Sequence, residues 1–298
     1  MTGLLAARIA AGLTAPVEGP VAAFAADLAE AAGALAVLFY GSNLRTGSLD
    51  GVLDYYVLLP GPPERGMWPT VSYHERELGG VTLRAKVATM TMAKFAEAAS
   101  GDLLDTTIWA RFVQPSALVW QQGGAAVKAV GDALAAAAVT AGRLAAALGP
   151  ARGSADDFWA ALFRATYKAE FRVERAGRER DILSVNAAHF DGLLPLAWDA
   201  GGIAFARDGD LLAPNMPPAD RVRILRWWAR RRRFGKMLNL ARLVRASTTF
   251  EGAARYAAWK IERHTGVPVK LTPWRERHPL LAAPGVMLSI WRQKRRRG

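Results

Sequence analysis

The spacing of apolar residues divides the chain into an alternating first half and a helical second half. Residues 20–34, PVAAFAADLAEAAGA, repeat apolar positions at helical spacing. Residues 35–40, LAVLFY, are an unbroken apolar run of strand length. Gly41 to Ser48 reads as a turn or loop, and residues 52–59, VLDYYVLL, predict a second strand whose one charged residue is Asp54. Pro60-Gly61-Pro62-Pro63 ends it. Residues 69–75 and 80–88 predict a strand pair joined near Gly79-Gly80. Residues 91–99 and 102–113 predict helices, and 124–147 a long Ala-rich one.

Gly149-Pro150 marks a boundary. Beyond it, helical spacing runs from Asp156 to about Gly177 and, after a break, to about Trp198. Residues 207–219, RDGDLLAPNMPPA, read as a linker. Helical stretches at 220–246 and 250–264 precede a Pro-punctuated end, and no internal repeat is visible. The expected organisation is an α/β (α+β) protein, with an N-terminal mixed-sheet domain over residues 1–150 and a mostly helical part over residues 151–298.

Composition narrows the chemistry. The chain has 298 residues and no cysteine, which excludes disulfides, Cys-ligated zinc, iron–sulfur clusters and thiol nucleophiles. Its four histidines form no HxxxH or HExxH pair, the usual spacing for a helical metal site. The net charge of +13 is concentrated: residues 221–298 hold 21 basic and three acidic residues, while the first 220 hold 18 and 23. A mildly acidic body with a strongly basic end section points to a polyanionic partner, either nucleic acid or an anionic membrane surface. No uncharged apolar run reaches 18 residues, and the N-terminus lacks the basic start and apolar core of a secretory signal. The expectation is a cytoplasmic protein, with peripheral attachment to a membrane left open.

Three local features carry candidate chemistry. Gly41-Ser42 closes an apolar strand, where backbone N–H groups and a hydroxyl can face phosphate oxygens. Asp54 sits in an otherwise apolar strand, Leu53-Asp54-Tyr55-Tyr56-Val57; burying it is costly unless it is paired, hydrogen-bonded or metal-bound. Strand, Gly-Ser loop and acid-bearing strand are the layout of nucleotidyltransferases, although Val52 and Tyr56 stand where a second acid two residues away would be. Asp50 is close by but off the spacing of one strand face. The second feature is Tyr167 to Glu174, where Glu170 and Glu174 share one helical face; the plainer reading is an exposed, salt-bridged helix. The third is Phe250-Glu251-Gly252 with Tyr256 and Trp259 to His264, which also reads as an ordinary amphipathic helix.

Taken in order, these residues resemble the mitochondrial-type phosphatidate cytidylyltransferases, peripheral CDP-diacylglycerol synthases with a nucleotidyltransferase fold, and their bacterial relatives. Tyr40-Gly41-Ser42 is similar to the family's YGSG loop, with Asn43 in place of the last glycine. Asp54 matches a lone Asp in an apolar strand, and Val71-Ser72-Tyr73 with Leu83 to Val87 loosely resembles an aromatic strand followed by Lys-Tyr-Gly. Asp102-Leu103-Leu104 through Trp109-Ala110-Arg111 to Gln114-Pro115 resembles a DLL helix, Ala-Gly-Arg and Lys-Pro. Tyr167 to Arg172 resembles S-Y-x-G-D-F-R with Glu170 for Asp, and Gly252, Tyr256 and Lys260 resemble a C-terminal G…Y…K pattern. The likeness spans about residues 37 to 264.

The resemblance implies an N-terminal nucleotidyltransferase-like domain and a Mg²⁺-dependent transfer of CMP from CTP to phosphatidic acid, giving CDP-diacylglycerol and pyrophosphate. It implies Gly41, Ser42 and Lys86 at the nucleotide phosphates, Asp54 and Glu170 as the catalytic acids and metal ligands, and Arg172 or Lys260 at the lipid or another phosphate. Asp50 is a further candidate acid. The basic section, with its Trp–Arg mixtures at residues 224–234 and 279–297, is then expected to hold the protein peripherally on the inner face of the cell membrane through anionic lipids. Two rival classes remain: a nucleotidyltransferase-fold enzyme acting on RNA or another phosphate acceptor, and a non-catalytic nucleotide-binding relative. No RNA-binding motif supports nucleic acid as the partner.

Overall fold

The computed structural model describes residues 3–169, 178–249, 252–266, 268–269, 271–277, 282 and 285. The first half contains helices α1 (Gly3–Leu13) and α2 (Gly19–Ala32), strand β1 (Ala36–Tyr40), the one-turn helix α3 (Ser42–Thr46) and strands β2 (Leu53–Leu59), β3 (Thr70–Leu78) and β4 (Val81–Thr91). Helices α4 (Met92–Ala99) and α5 (Thr107–Phe112), strand β5 (Ser116–Gln121) and helix α6 (Gly124–Leu148) complete it. The second half contains β6 (Gly153–Ser154), α7 (Ala155–Ala169), α8 (Arg178–Val185), α9 (Ala187–Phe190), α10 (Leu193–Ala200), β7 (Phe205–Asp208), β8 (Leu211–Pro214), α11 (Pro218–Thr249), α12 (Ala253–Thr265) and α13 (Pro273–Arg277). The protein is therefore mixed α/β, with a five-stranded mixed sheet in its N-terminal half and a mostly helical C-terminal half.

The sheet order is β3-β4-β2-β1-β5; β2 and β4 run parallel and the other neighbours antiparallel. The continuous apolar runs of β1 and β2 reflect burial on both faces. On one face Val37, Phe39, Tyr55, Val57 and Val87 pack against Val21, Phe24, Ala25 and Leu28 of α2. On the other, Leu38, Tyr56, Leu58, Ala88 and Met90 meet α1, α4, α5 and α6, and the same core continues through α7 and α10. The two halves of the chain thus share one hydrophobic interior. Helix α6 is long and apolar enough to cross a membrane, and half of that apolar stretch is buried inside the protein. Its small residues let α1, α4, α5, α7, α10 and α11 pack around it.

Several elements differ from the sequence reading. The 41–48 turn contains the short helix α3. The expected helix at 102–113 starts only at Thr107, because the Asp105 carboxylate accepts hydrogen bonds from the Thr107 amide (2.9 Å) and hydroxyl (2.7 Å) and holds a local turn. The expected linker at 207–219 holds most of a hairpin, β7–β8, turning at Gly209 with φ +60°. Helix α1 and strand β5 were not foreseen; Leu5, Ile9 and Leu13, at helical spacing, bury α1.

A latch fixes the basic helix α11 to the body. The Trp227 indole N–H (3.1 Å) and the Arg231 guanidinium both donate to the Gly101 carbonyl, and Arg231 stacks 3.9 Å from the Trp227 ring centre. Burial pushes Arg231 down to about 10, with Arg230 adding to the shift and Asp102 opposing it. Gly101 is required twice over: its φ is +78°, and a Cβ there would lie 2.7 Å from Thr140 and 3.0 Å from Trp227. Gly101→Ala is predicted to lower stability by about 2–3 kcal/mol, a fall of several degrees in thermal melting. Gly131→Ala, in open space within α6, is predicted to raise stability by up to about 1 kcal/mol. Equal melting shifts for the two variants would contradict the latch.

Candidate functional site

The register of the sheet brings distant motifs into one row. Tyr40 at the end of β1 stands opposite Asp54 on one side and Ser116 of β5 on the other. Asp54 stands opposite Lys86 of β4, and Lys86 opposite Tyr73 of β3. Paired residues share a face, so Tyr73, Lys86, Asp54, Tyr40 and Ser116 form a row on the face that carries α4, α5 and α6.

Gly41 follows directly. Its φ is +94°, and a Cβ would sit 3.1 Å from Oδ2 of Asp54, so only glycine brings this turn against the carboxylate. Ser42 then opens α3. Asn43 has a structural role: it is buried, and its Nδ2 donates to the Ser48 and Asp50 carbonyls at 2.8 Å, pinning the loop back toward β2.

Asp54 is the electrostatic centre. Burial raises its pKa above the ordinary 3.8; Lys86 and then Arg111 pull it back down. Its carboxylate receives no hydrogen bond from the described residues. Arg111 projects from α5, donates to the Tyr56 hydroxyl at 2.8 Å, and lies 5.2 Å from the Tyr40 ring centre and 5.8 Å from that of Tyr56. Stacking and hydrogen bonding hold the guanidinium at the row. Lys86 is exposed, so the row opens to solvent there.

The end of the chain returns to the same place. Helix α12 packs along the edge strand β3. Gly252 makes the close approach: with φ +77°, a Cβ would fall 2.7 Å from the Tyr73 carbonyl oxygen. One turn on, the Tyr256 ring lies 5.4 Å from Tyr73, and the Lys260 ammonium lies 5.6 Å from the Tyr256 ring centre.

The structure therefore brings Gly41, Ser42, Asp54 and Lys86 together, while Lys260 lies on α12 over the Tyr256 ring, which contacts Tyr73 at the end of the row. Glu170 and Arg172 lie outside the described residues, as do Phe250, Glu251 and the 286–298 part of the basic end. Tyr167 is buried and packs on Phe163, so it belongs to the core. Asp50 is exposed, and its backbone serves the loop. Arg111 and Tyr256 stand in the sequence only as members of the Trp109-Ala110-Arg111 and Gly252-Tyr256-Lys260 likenesses, with no role assigned; their places at the row come from the fold.

The arrangement can hold anionic oxygens between a flexible ammonium and a fixed guanidinium. The half-buried Asp54, which receives no hydrogen bond from the described residues, suits a divalent cation, with phosphate oxygens completing its coordination. Among the described residues no three His, Asp or Glu side chains gather as a metal site. No family model and no curated protein matches the chain.

The shift at Asp54 has a definite sign. A folded-state pKa above the unfolded value means no cost below about 3.8, a cost that grows as pH rises from there, and the full cost above the folded value. Asp54→Asn is predicted to melt above the parent protein at pH 7, and to match it near pH 3.5. Identical melting at both pH values would contradict the burial of an ionised carboxylate.

Proposed function

We propose that the chain is a nucleotidyltransferase of the phosphatidate cytidylyltransferase type, transferring CMP from CTP to phosphatidic acid. The observation that carries this reading is the convergence, at one end of the sheet, of motifs found at residues 40–42, 54, 73, 86, 111 and 252–260. Core packing alone would not collect a Gly-Ser turn, a half-buried carboxylate and the cations Lys86 and Arg111 in one place.

In this reading Gly41 and Ser42 receive the triphosphate, and Lys86 and Arg111 hold its oxygens. A phosphate oxygen of the lipid forms a bond to the α-phosphorus of CTP as the bond to the β-phosphate bridging oxygen breaks. Pyrophosphate departs with that electron pair. The attacking group is already an anion near neutral pH, so no base is needed. Catalysis is then mainly positioning and charge neutralisation. Asp54, with Glu170, would hold Mg²⁺, which supplies charge neutralisation on the phosphates when bound.

The basic C-terminal section supports an anionic membrane surface as the second partner. On α11, Arg226, Arg230, Arg233 and Lys236 are exposed beside Phe234 and the 70% exposed Met237. Trp274 is also exposed. Apolar side chains among cations suit an interface, where each basic residue contributes about 1 kcal/mol.

The test is pyrophosphate release by purified protein with Mg²⁺ and CTP, with and without phosphatidic acid in mixed micelles, with the other three nucleotides as controls. Release that needs both CTP and the lipid is predicted. Asp54→Asn and Arg111→Gln are each predicted to lower kcat by about 10²–10³-fold while melting cooperatively. Absence of release with every nucleotide would overturn the reading, and lipid-independent release would assign a different acceptor.

A further inference from the structure

Arg84 precedes Lys86 by two residues on β4 and shares its face. Its guanidinium lies 5.4 Å from the ring centre of Trp259 on α12; that of Arg263 lies 5.3 Å from the same ring. Arg263 also reaches the loop entering β2, with Nη1 3.3 Å from where a Cβ on Gly51 would stand. Gly51 precedes Asp54 by three residues, so this cluster adjoins the Asp54 row along both β2 and β4. Lys260 lies next to Trp259 in sequence, over the Tyr256 ring.

Arg84 is anchored. Its Nη1 donates to the Thr82 carbonyl at 3.2 Å, and its Nε, sealed from solvent and without a hydrogen bond, lies 3.4 Å from Glu75. Glu75 also accepts from the Tyr73 hydroxyl at 2.8 Å. One carboxylate thus serves a group of three cations, and Arg263 has no ion pair among the described residues. Docking α12 through Trp259 needs only one cation on the indole. A second guanidinium held on the same ring adds like-charge repulsion unless an anion joins them.

We propose that Arg84, Arg263 and Lys260 around Trp259 form a binding site for a phosphate monoester, the acceptor phosphate of the transfer. That role rests on the transferase reading; the binding does not. A monoester is close to a dianion at neutral pH, and the planar forks of two arginines match pairs of its oxygens. A phosphodiester offers one charge and fewer free oxygens. The indole holds both forks in place before the ligand arrives, which reduces the ordering cost of binding.

The experiment uses the full chain. Titration calorimetry measures binding of inorganic phosphate, glycerol 3-phosphate and, separately, Mg-CTP. Cosedimentation compares phosphatidylcholine vesicles containing phosphatidic acid with vesicles containing phosphatidylglycerol. The exposed Arg263→Gln is the main variant, with Arg263→Lys and Arg84→Gln beside it and melting temperature as the fold control. Arg263→Gln is predicted to weaken glycerol 3-phosphate at least tenfold, to abolish the preference for phosphatidate vesicles, and to leave Mg-CTP binding unchanged. Arg263→Lys is predicted to recover only part of the loss. Binding of soluble phosphate without phosphatidate preference upholds the site and assigns it to a free monoester. Loss of monoester binding in the variant, with no Mg-CTP binding by any form, upholds the site and removes the transferase reading. Unchanged monoester affinity in Arg263→Gln, or no binding of inorganic phosphate or glycerol 3-phosphate by the parent protein, overturns the proposal.

Discussion

A carboxylate set among aromatic and aliphatic strand residues must be compensated, and the surroundings of Asp54 are arranged around that requirement. Desolvation favours its neutral form, while Lys86 and Arg111 favour its charge. Keeping those cations in place requires the register that sets Lys86 opposite Asp54 and the rings of Tyr40 and Tyr56 that hold Arg111. It also requires a glycine at position 41, because any side chain there would press on the carboxylate. A partly uncompensated acid beside a cluster of like charges is the feature on which the proposed ligand site rests.

The C-terminal half contributes by docking rather than by a core of its own. Helix α11 is fastened through Trp227 and Arg231 to the Gly101 carbonyl, in the loop that leads toward α5 and Arg111. Helix α12 is fastened through Gly252 to the edge strand β3. Both attachments rely on glycines in the left-handed region, which permit backbone approaches that a Cβ would block. The section that carries most of the positive charge is thereby tied to the residues surrounding Asp54, and this is the physical basis for placing an anionic surface and a phosphate site side by side.

The parts of the fold legible in the sequence were those whose signal is local. The runs 35–40 and 52–59, the Gly79-Gly80 turn and the Ala-rich helix predict β1, β2, the β3–β4 pair and α6 within a few residues. Strand β5 escaped because Ser116 and Gln121 give it polar ends, and its pairing with β1 is long-range. The β7–β8 hairpin escaped because its Gly, Asp and Pro content is also that of a linker. At the site, Gly41, Ser42 and Asp54 were legible because they are close in sequence. Arg111 entered only as part of the Trp109-Ala110-Arg111 likeness, and its role was not legible, because its position depends on Tyr40 and Tyr56, more than fifty residues away. Asn43 has its reason in the hydrogen bonds that close the loop.

On the proposed function, Asp54, Lys86 and Arg111 form one phosphate-binding centre beneath the Gly41-Ser42 turn. The most direct measurement is an experimental structure with a non-hydrolysable CTP analogue and Mn²⁺, the metal located by its anomalous scattering. The account predicts the metal on Asp54, with triphosphate oxygens between the Gly41-Ser42 turn, Lys86 and Arg111. A nucleotide bound elsewhere, or Asp54 closed into an ion pair with no ligand beside it under saturating nucleotide, would contradict it.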